Sequence, residues 1–267
     1  MIKRICYILI LALLLLTHSS YAQDYLDIRR LCSSLENNYS IKVYFEKFPV
    51  TSWKIDYDFA TKQDYEKLYN YLLLFDNEFA KYPKGFLKKT KLSAVVFVKS
   101  LALKKQLRTA IPDYGKEILI LDFLRGGHNS TYQKHVIHHE FYHMIEEEFN
   151  ESAYWKDPHW KEFNAPGVQY GQGGKSAQDN SKAYLFTHPE KGFVNLYSQS
   201  AIEEDKAEIY ATLFVKEEYD KLIEWVKEDK TLYGKMKYMI KFLKKLDSRL
   251  SKRYFSKLHK GKKKDKE

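Results

Sequence analysis

Nine residues, His135-Val136-Ile137-His138-His139-Glu140-Phe141-Tyr142-His143, restrict this chain more than anything else in it. Four residues advance an α-helix by about 400°, so His139 and His143 share one face, a turn apart. Two imidazoles so placed can both reach a tetrahedral zinc ion at ~2.0–2.1 Å. Of the four histidines, only the 139/143 pair encloses a Glu directly after its first member, the His-Glu-x-x-His spacing. Glu140 stands beside the first donor, near the same pocket but badly placed to chelate. It is positioned to take a proton from an attacking water and pass it to a leaving amine. His135, one turn earlier on the same stripe, reads as a packed or hydrogen-bonded histidine, and His138 points elsewhere.

The flanking pattern gives this helix a setting. Residues 39–48 alternate and are rich in β-formers, and 92–98 and 117–123 read as further strands. Apolar positions at steps of three and four predict a helix over 62–81, stopped by Tyr82-Pro83 and Gly85. The histidine helix is expected over 131–149. A long loop follows, carrying Pro158, Pro166, Gly167, Gly171, Gly173, Gly174 and Pro189. Helical periodicity returns over 201–219 and continues through 221–256. These elements predict one α+β domain over 23–250, with a small mixed sheet, a helix carrying the histidines and a helical C-terminal half; with its His-Glu-x-x-His helix it resembles the zincin-like catalytic domains.

Two histidines leave an open catalytic zinc short of a third protein donor. A histidine six residues past the second is excluded, because position 149 is Phe149. The acids Glu203, Glu204, Asp205 and Glu208 open the next helix, with Glu204 and Glu208 one turn apart on one face. An acidic first turn also suits the helix dipole, but beside a metal pair lacking a third donor the ligand reading prevails. Spacing alone leaves Glu204, Glu208 and Asp205 all in contention.

The strand, the histidine helix, and Tyr197 seven residues before Glu204-xx-Ala207-Glu208 resemble the anthrax lethal factor-like zinc peptidases. They are equally similar to a zinc-binding metallopeptidase group of exported bacterial proteins. That second group places an acid three residues past the second histidine, matched here by Glu146. Tyr82-Pro83-Lys84-Gly85-Phe86-Leu87 and Trp160-Lys161-Glu162-Phe163-Asn164, leading to Gly167 and Tyr170, are similar to it as well. The resemblance covers roughly residues 62–218. It implies one Zn2+ per chain held by His139, His143 and Glu204, with Glu140 as general base. It further implies that Glu208 orients a ligand histidine and that Tyr197 faces the developing oxyanion; Tyr210 competes for that last role. The substrate is expected to be a peptide or protein, added as a strand at residues 117–123. The loop from 150 to 195 is expected to wall the cleft, with Trp155, Trp160 and Tyr170 either forming a subsite or simply packing.

Charge and the chain start fix the rest. Lys3 and Arg4, an apolar run from Ile5 to Leu16, and Ser20-Tyr21-Ala22 predict a signal peptide over 1–22, hence export to a periplasm or the exterior. An uncleaved anchor is the other reading of that run. The net charge of +10 is not a groove: the leader carries two positive charges and 251–267 a net of six, leaving +2 for 23–250. No specific nucleic-acid partner is expected. The stretch 251–267 is expected to be a basic, disordered tail able to touch an anionic surface. Cys32 loses its one potential partner, Cys6, with the leader, so a buried free thiol is expected. The rival to a peptidase is an exported zinc-binding adhesive module without proteolytic activity. A non-peptidase zinc hydrolase would use the same donors.

Overall fold

Residues Ala94–Leu103 carry apolar side chains at both parities in their first half, which suits a strand covered on both faces. In the computed structural model, which describes residues 24–260 except 178, 179 and 181, this segment (β3) is the central strand of a six-stranded mixed sheet. β1 (Lys42–Tyr44) and β6 (Ile118–Asp122) flank it, both parallel to it. β5 (Ala110–Asp113) closes the far side, antiparallel to β6. The end of β3 splays into a smaller antiparallel unit with β2 (Ile55–Asp58) and β4 (Gln106–Leu107). Val95 and Phe97 face the main core, whereas Val96 and Val98 join Ile111, Ile118 and Ile120 in a second layer capped by Phe48, Tyr57 and Phe59.

The expected strand over 117–123 is present, but it is not an edge. β6 is paired on both sides, so the strand free to accept a peptide is β5. Asp122 N–H donates to Thr109 O at 2.8 Å, and Ile111 and Asp113 follow at the same parity. The backbone groups of Ala110 and Pro112 therefore face outward. Pro112, which has no N–H to give, sits where it interrupts no ladder bond.

Helices α1 (24–39) and α2 (Tyr65–Phe79) cover one face of the sheet together with α3 (Ser130–Asn150). α1 has no counterpart among the expected elements, and the strand expected over 39–48 shrinks to three residues. Ile28 and Leu35 of α1 are fully buried, so the N-terminal region belongs to the same core. Cys32 lies there too, its thiol pushed up to about 12 by burial. After α3 come the short helices α4 (Pro158–Lys161) and α5 (Gly174–Ala177), then α6 (Ile202–Thr212), α7 (Lys216–Trp225), α8 (Lys230–Leu246) and α9 (Lys252–His259).

α9 corrects the expectation of a disordered tail from residue 251. Ser251 caps the helix by accepting from Tyr254 N–H, Phe255 is fully buried, and His259 bonds Leu213 O at 2.8 Å. The lysines beyond 260 and the leader over 1–22 lie outside the described residues. Among the described residues no helix is long and apolar enough to cross a membrane.

Candidate metal centre

α3 and α6 pack against each other beneath β5, and the site forms where their polar faces meet. The start of α3 is fixed twice. Asp122, at the end of β6, accepts from Leu101, Leu124 and Arg125 N–H groups at 2.9–3.0 Å and shapes the turn out of the sheet. Asn129 then caps the helix, accepting from Tyr132 N–H at 3.1 Å. Two and a half turns later, His139 and His143 point toward α6.

Three donor atoms converge there. His139 Nε2 lies 3.1 Å from Glu204 Oε2 and 3.3 Å from His143 Nε2, and His143 Nε2 lies 3.5 Å from Glu204 Oε2. Ligands at ~2.0–2.1 Å around a tetrahedral zinc stand about 3.3 Å apart, so this triangle has the edges such an ion requires. The donor chemistry, two imidazoles and one carboxylate with room left for water or substrate, suits a catalytic zinc. Electrostatics point the same way. Burial opposes charge on His139, yet Glu204 and Glu208 outweigh it and raise its pKa to about 10. The cluster therefore has a strong affinity for positive charge, which a proton or a divalent cation can supply. Burial likewise opposes the charge of Glu204, but the two histidines hold its carboxyl well below the usual range.

Glu208 does not join this triangle. Its Oε1 approaches His139 Nδ1 to 3.0 Å, obliquely, while Oε2 approaches His135 Nε2 to 3.0 Å and accepts from Asn195 Nδ2 at 2.6 Å. His135 in turn holds Glu218 at 2.7 Å. Glu218, His135 and Glu208 thus stand in line behind His139, where a carboxylate can orient the ring. His135, His139 and Glu208 also have atoms close enough to suit a metal ion, but both Glu208 oxygens are already engaged. Asp205 faces away from the site, bonded to Lys235, Trp160 and Tyr170 at 2.7 Å each. His138 is likewise elsewhere, between Tyr82 and Glu78.

Asn195 also accepts from Ser198 N–H at 2.8 Å, which ties the turn carrying Tyr197 to the carboxylates of α6. Tyr197 stacks on Tyr184 at 4.7 Å and lies 5.8 Å, ring to ring, from His139. Tyr210, the other candidate for that role, bonds Tyr82 inside the core at 3.0 Å. Residues 171–174 run alongside, with Gly171 and Gly173 N–H donating to Gln199 and Ser200 carbonyls. Gly174 follows so closely that a Cβ there would stand 2.2 Å from Tyr197 Oη and 2.4 Å from Glu204 Oε1. Any side chain at this position would displace both groups.

The cluster opens into a cleft of about 740 Å³ running beside β5, with Glu140 half-buried in its wall. Burial pushes the Glu140 carboxyl up, against the pull of His139 and His143. The loop between α3 and α6 does wall the cleft, through Tyr154 and Tyr184. Trp155, Trp160 and Tyr170 do not line it; Trp160 and Tyr170 are bound to Asp205, and Trp155 stacks on buried Lys206 at 5.0 Å. None of the three forms a subsite of this cleft. The cleft residues missed in the sequence, Arg108, Tyr114, Tyr132 and Tyr154, carry no spacing signal of their own and meet only through the fold.

Comparison with known proteins bears on the fold and the family. No curated protein matches the chain. A solved structure described as a "putative zinc-binding metallo-peptidase", from Bacteroides caccae ATCC 43185, aligns with a TM-score of 0.53 at 16% identity, covering 89% of this chain and 93% of that one. At that identity the likeness establishes a shared fold. The model of the family described as "Putative zinc-binding metallo-peptidase" matches residues 77–247, a span that contains both histidines, Glu140, Glu204 and Glu208. The chain belongs to that zinc-binding metallopeptidase family.

Proposed function

We propose that this chain is an exported zinc-dependent endopeptidase in which His139, His143 and Glu204 hold one zinc ion. The observation that carries the reading is the 3.1–3.5 Å triangle of His139 Nε2, His143 Nε2 and Glu204 Oε2 with Glu140 beside it in an open cleft. When bound, zinc supplies Lewis acidity to a carbonyl and to water.

The chain's own residues do the rest. Glu140, whose carboxyl is raised toward the working range of a general base, takes the proton of the attacking water and delivers it to the leaving nitrogen. Tyr197 Oη donates a hydrogen bond to the substrate oxygen as charge develops on it. Glu208 holds His139 in one orientation throughout. The outward N–H and C=O of Ala110 and the C=O of Pro112 align an extended peptide by strand addition, which favours peptide substrates over small esters or amides. Export rests on the leader pattern of residues 1–22.

The test pairs protein 23–267 with its Glu140→Ala variant, measuring zinc content and then cleavage of a mixed peptide library by mass spectrometry. One zinc per chain in both, with cleavage only by the parent, is the expected result. A parent that binds no zinc overturns the ligand assignment. Zinc in both with cleavage in neither favours a binding module.

A further inference from the structure

The cleft beside the zinc-binding cluster is electrically uneven. At the end where β5 and α3 begin stand Lys105, Arg108 and Arg125. Among the described residues none of the three forms an ion pair with a carboxylate. Arg108 bonds a neutral partner, Gln106 Oε1 at 3.0 Å, and its Nε is buried without a partner. A buried donor left unsatisfied is destabilising, and a carboxylate on the guanidinium would satisfy it. The carboxylates lining the cleft among the described residues are Glu140, Glu204 and Glu208, and the last two face His139. Glu140 acts on Arg108 through its field alone, and no carboxylate pairs with any of the three cations at their own end.

The opposite end, just past β5, is aromatic. Tyr114 stands edge-on to Trp53 at 6.5 Å and to Tyr154 at 6.2 Å, and Tyr154 is 62% exposed. Between the two ends runs the open edge of β5. A peptide strand rises ~3.3 Å per residue, so the reach from Arg108 to Tyr114 accommodates about six residues in extended form. Side chains of such a strand alternate in direction, and every second one would enter the cleft.

We propose that the cleft selects acidic peptides, with an Asp or Glu side chain held by Arg108, Arg125 and Lys105 on one side of the cleaved bond and an aromatic side chain held by Trp53, Tyr114 and Tyr154 on the other. The substrate side of this assignment rests on the peptidase reading; the charge selection is a property of the cleft itself. A focused positive field also attracts acidic chains from solution and weakens with salt.

The experiment uses zinc-loaded Glu140→Ala protein and fluorescence anisotropy with three labelled peptides, identical except for Asp, Asn or Lys at the charged positions. The Asp peptide is expected to bind about tenfold tighter than the Asn peptide, with the Lys peptide weakest and the difference shrinking at high salt. Adding Arg108→Gln and Arg125→Gln should erase the preference while zinc content stays at one per chain. Because Arg125 and Lys105 are exposed, a Lys105→Gln, Arg125→Gln pair gives the same reading should Arg108 prove necessary for folding. Equal binding of the three peptides, or a preference that survives these substitutions, overturns the proposal. Cleavage of a library by the parent separates the two claims. Cleavage without acid preference leaves the peptidase reading standing and removes this one. Arginine-dependent binding of acidic peptides without cleavage does the reverse.

Discussion

Glu208 stands outside the donor triangle of His139, His143 and Glu204, yet the proposed site depends on it. It is fully enclosed, and its two oxygens serve three partners: His139, His135 and Asn195. Burial opposes its charge, but His135 and His139 hold its carboxyl far below the usual range, so it is anionic at any working pH. Removing that charge frees the His139 ring to turn and leaves His135 facing an amide. Glu208→Gln is therefore expected to weaken zinc binding by roughly 10- to 100-fold, read by competition with a chromophoric chelator, with the fold retained by circular dichroism. Unchanged zinc affinity would mean that packing alone orients His139. The local part of this site is legible in sequence, because His139, Glu140 and His143, and separately Glu204 and Glu208, are linked by helical spacing. The link from Glu208 through His135 to Glu218 is not, since it depends on how α3, α6 and α7 dock.

At the scale of elements, the hairpin joining β3 to β4 carries strain. Leu103 pairs with Gln106, so the turn has two residues, Lys104 and Lys105, at φ 51° and 67°. Two-residue turns with both φ values positive favour Asn-Gly, because a Cβ in this region costs roughly 1–2 kcal/mol. Lys104→Asn with Lys105→Gly is expected to raise unfolding stability by about 1 kcal/mol in a urea titration, with zinc content unchanged. A midpoint that stays put or falls would show that the lysines are held by something other than the turn. Neither this hairpin nor β5 is readable from the chain. Gln106–Leu107 is two residues long, and β5 contains Pro112, which argues against a strand until its open edge is known. α1 is hard to read for a different reason: only Ile28, Cys32 and Leu35 mark its buried stripe, amid arginines and serines. The long regular elements are legible, since α2, α3 and the strands 94–98 and 118–122 each bury one clear pattern.

The described fold is closed by α9, and that closure should respond to pH. α9 reaches back to the end of α6, where His259 Nε2 donates to Leu213 O at 2.8 Å and the ring stacks on Tyr219 at 4.3 Å. Tyr254 Oη bonds Lys81 O after α2, so the helix spans the two halves of the core. Burial lowers the pKa of His259, and the nearby Lys81 and Lys216 push it the same way, against the Leu213 carbonyl and Asp220. A histidine whose folded pKa is depressed takes up its proton more readily in the unfolded chain. Its contribution to stability is thus present above the unfolded value of about 6.5 and is lost as pH falls through that value toward the lower folded one. On metal-free protein, where loss of zinc cannot intrude, urea midpoints are expected to fall between pH 7 and pH 5, and limited proteolysis to reach the C-terminal helix first. His259→Phe keeps a ring against Tyr219 and removes the titrating group, so its midpoint should decline less over the same interval. Parallel slopes for parent and variant would assign the acid sensitivity elsewhere, first to His138 of α3, whose pKa burial also lowers, leaving α9 docked by Phe255 and Tyr254 alone.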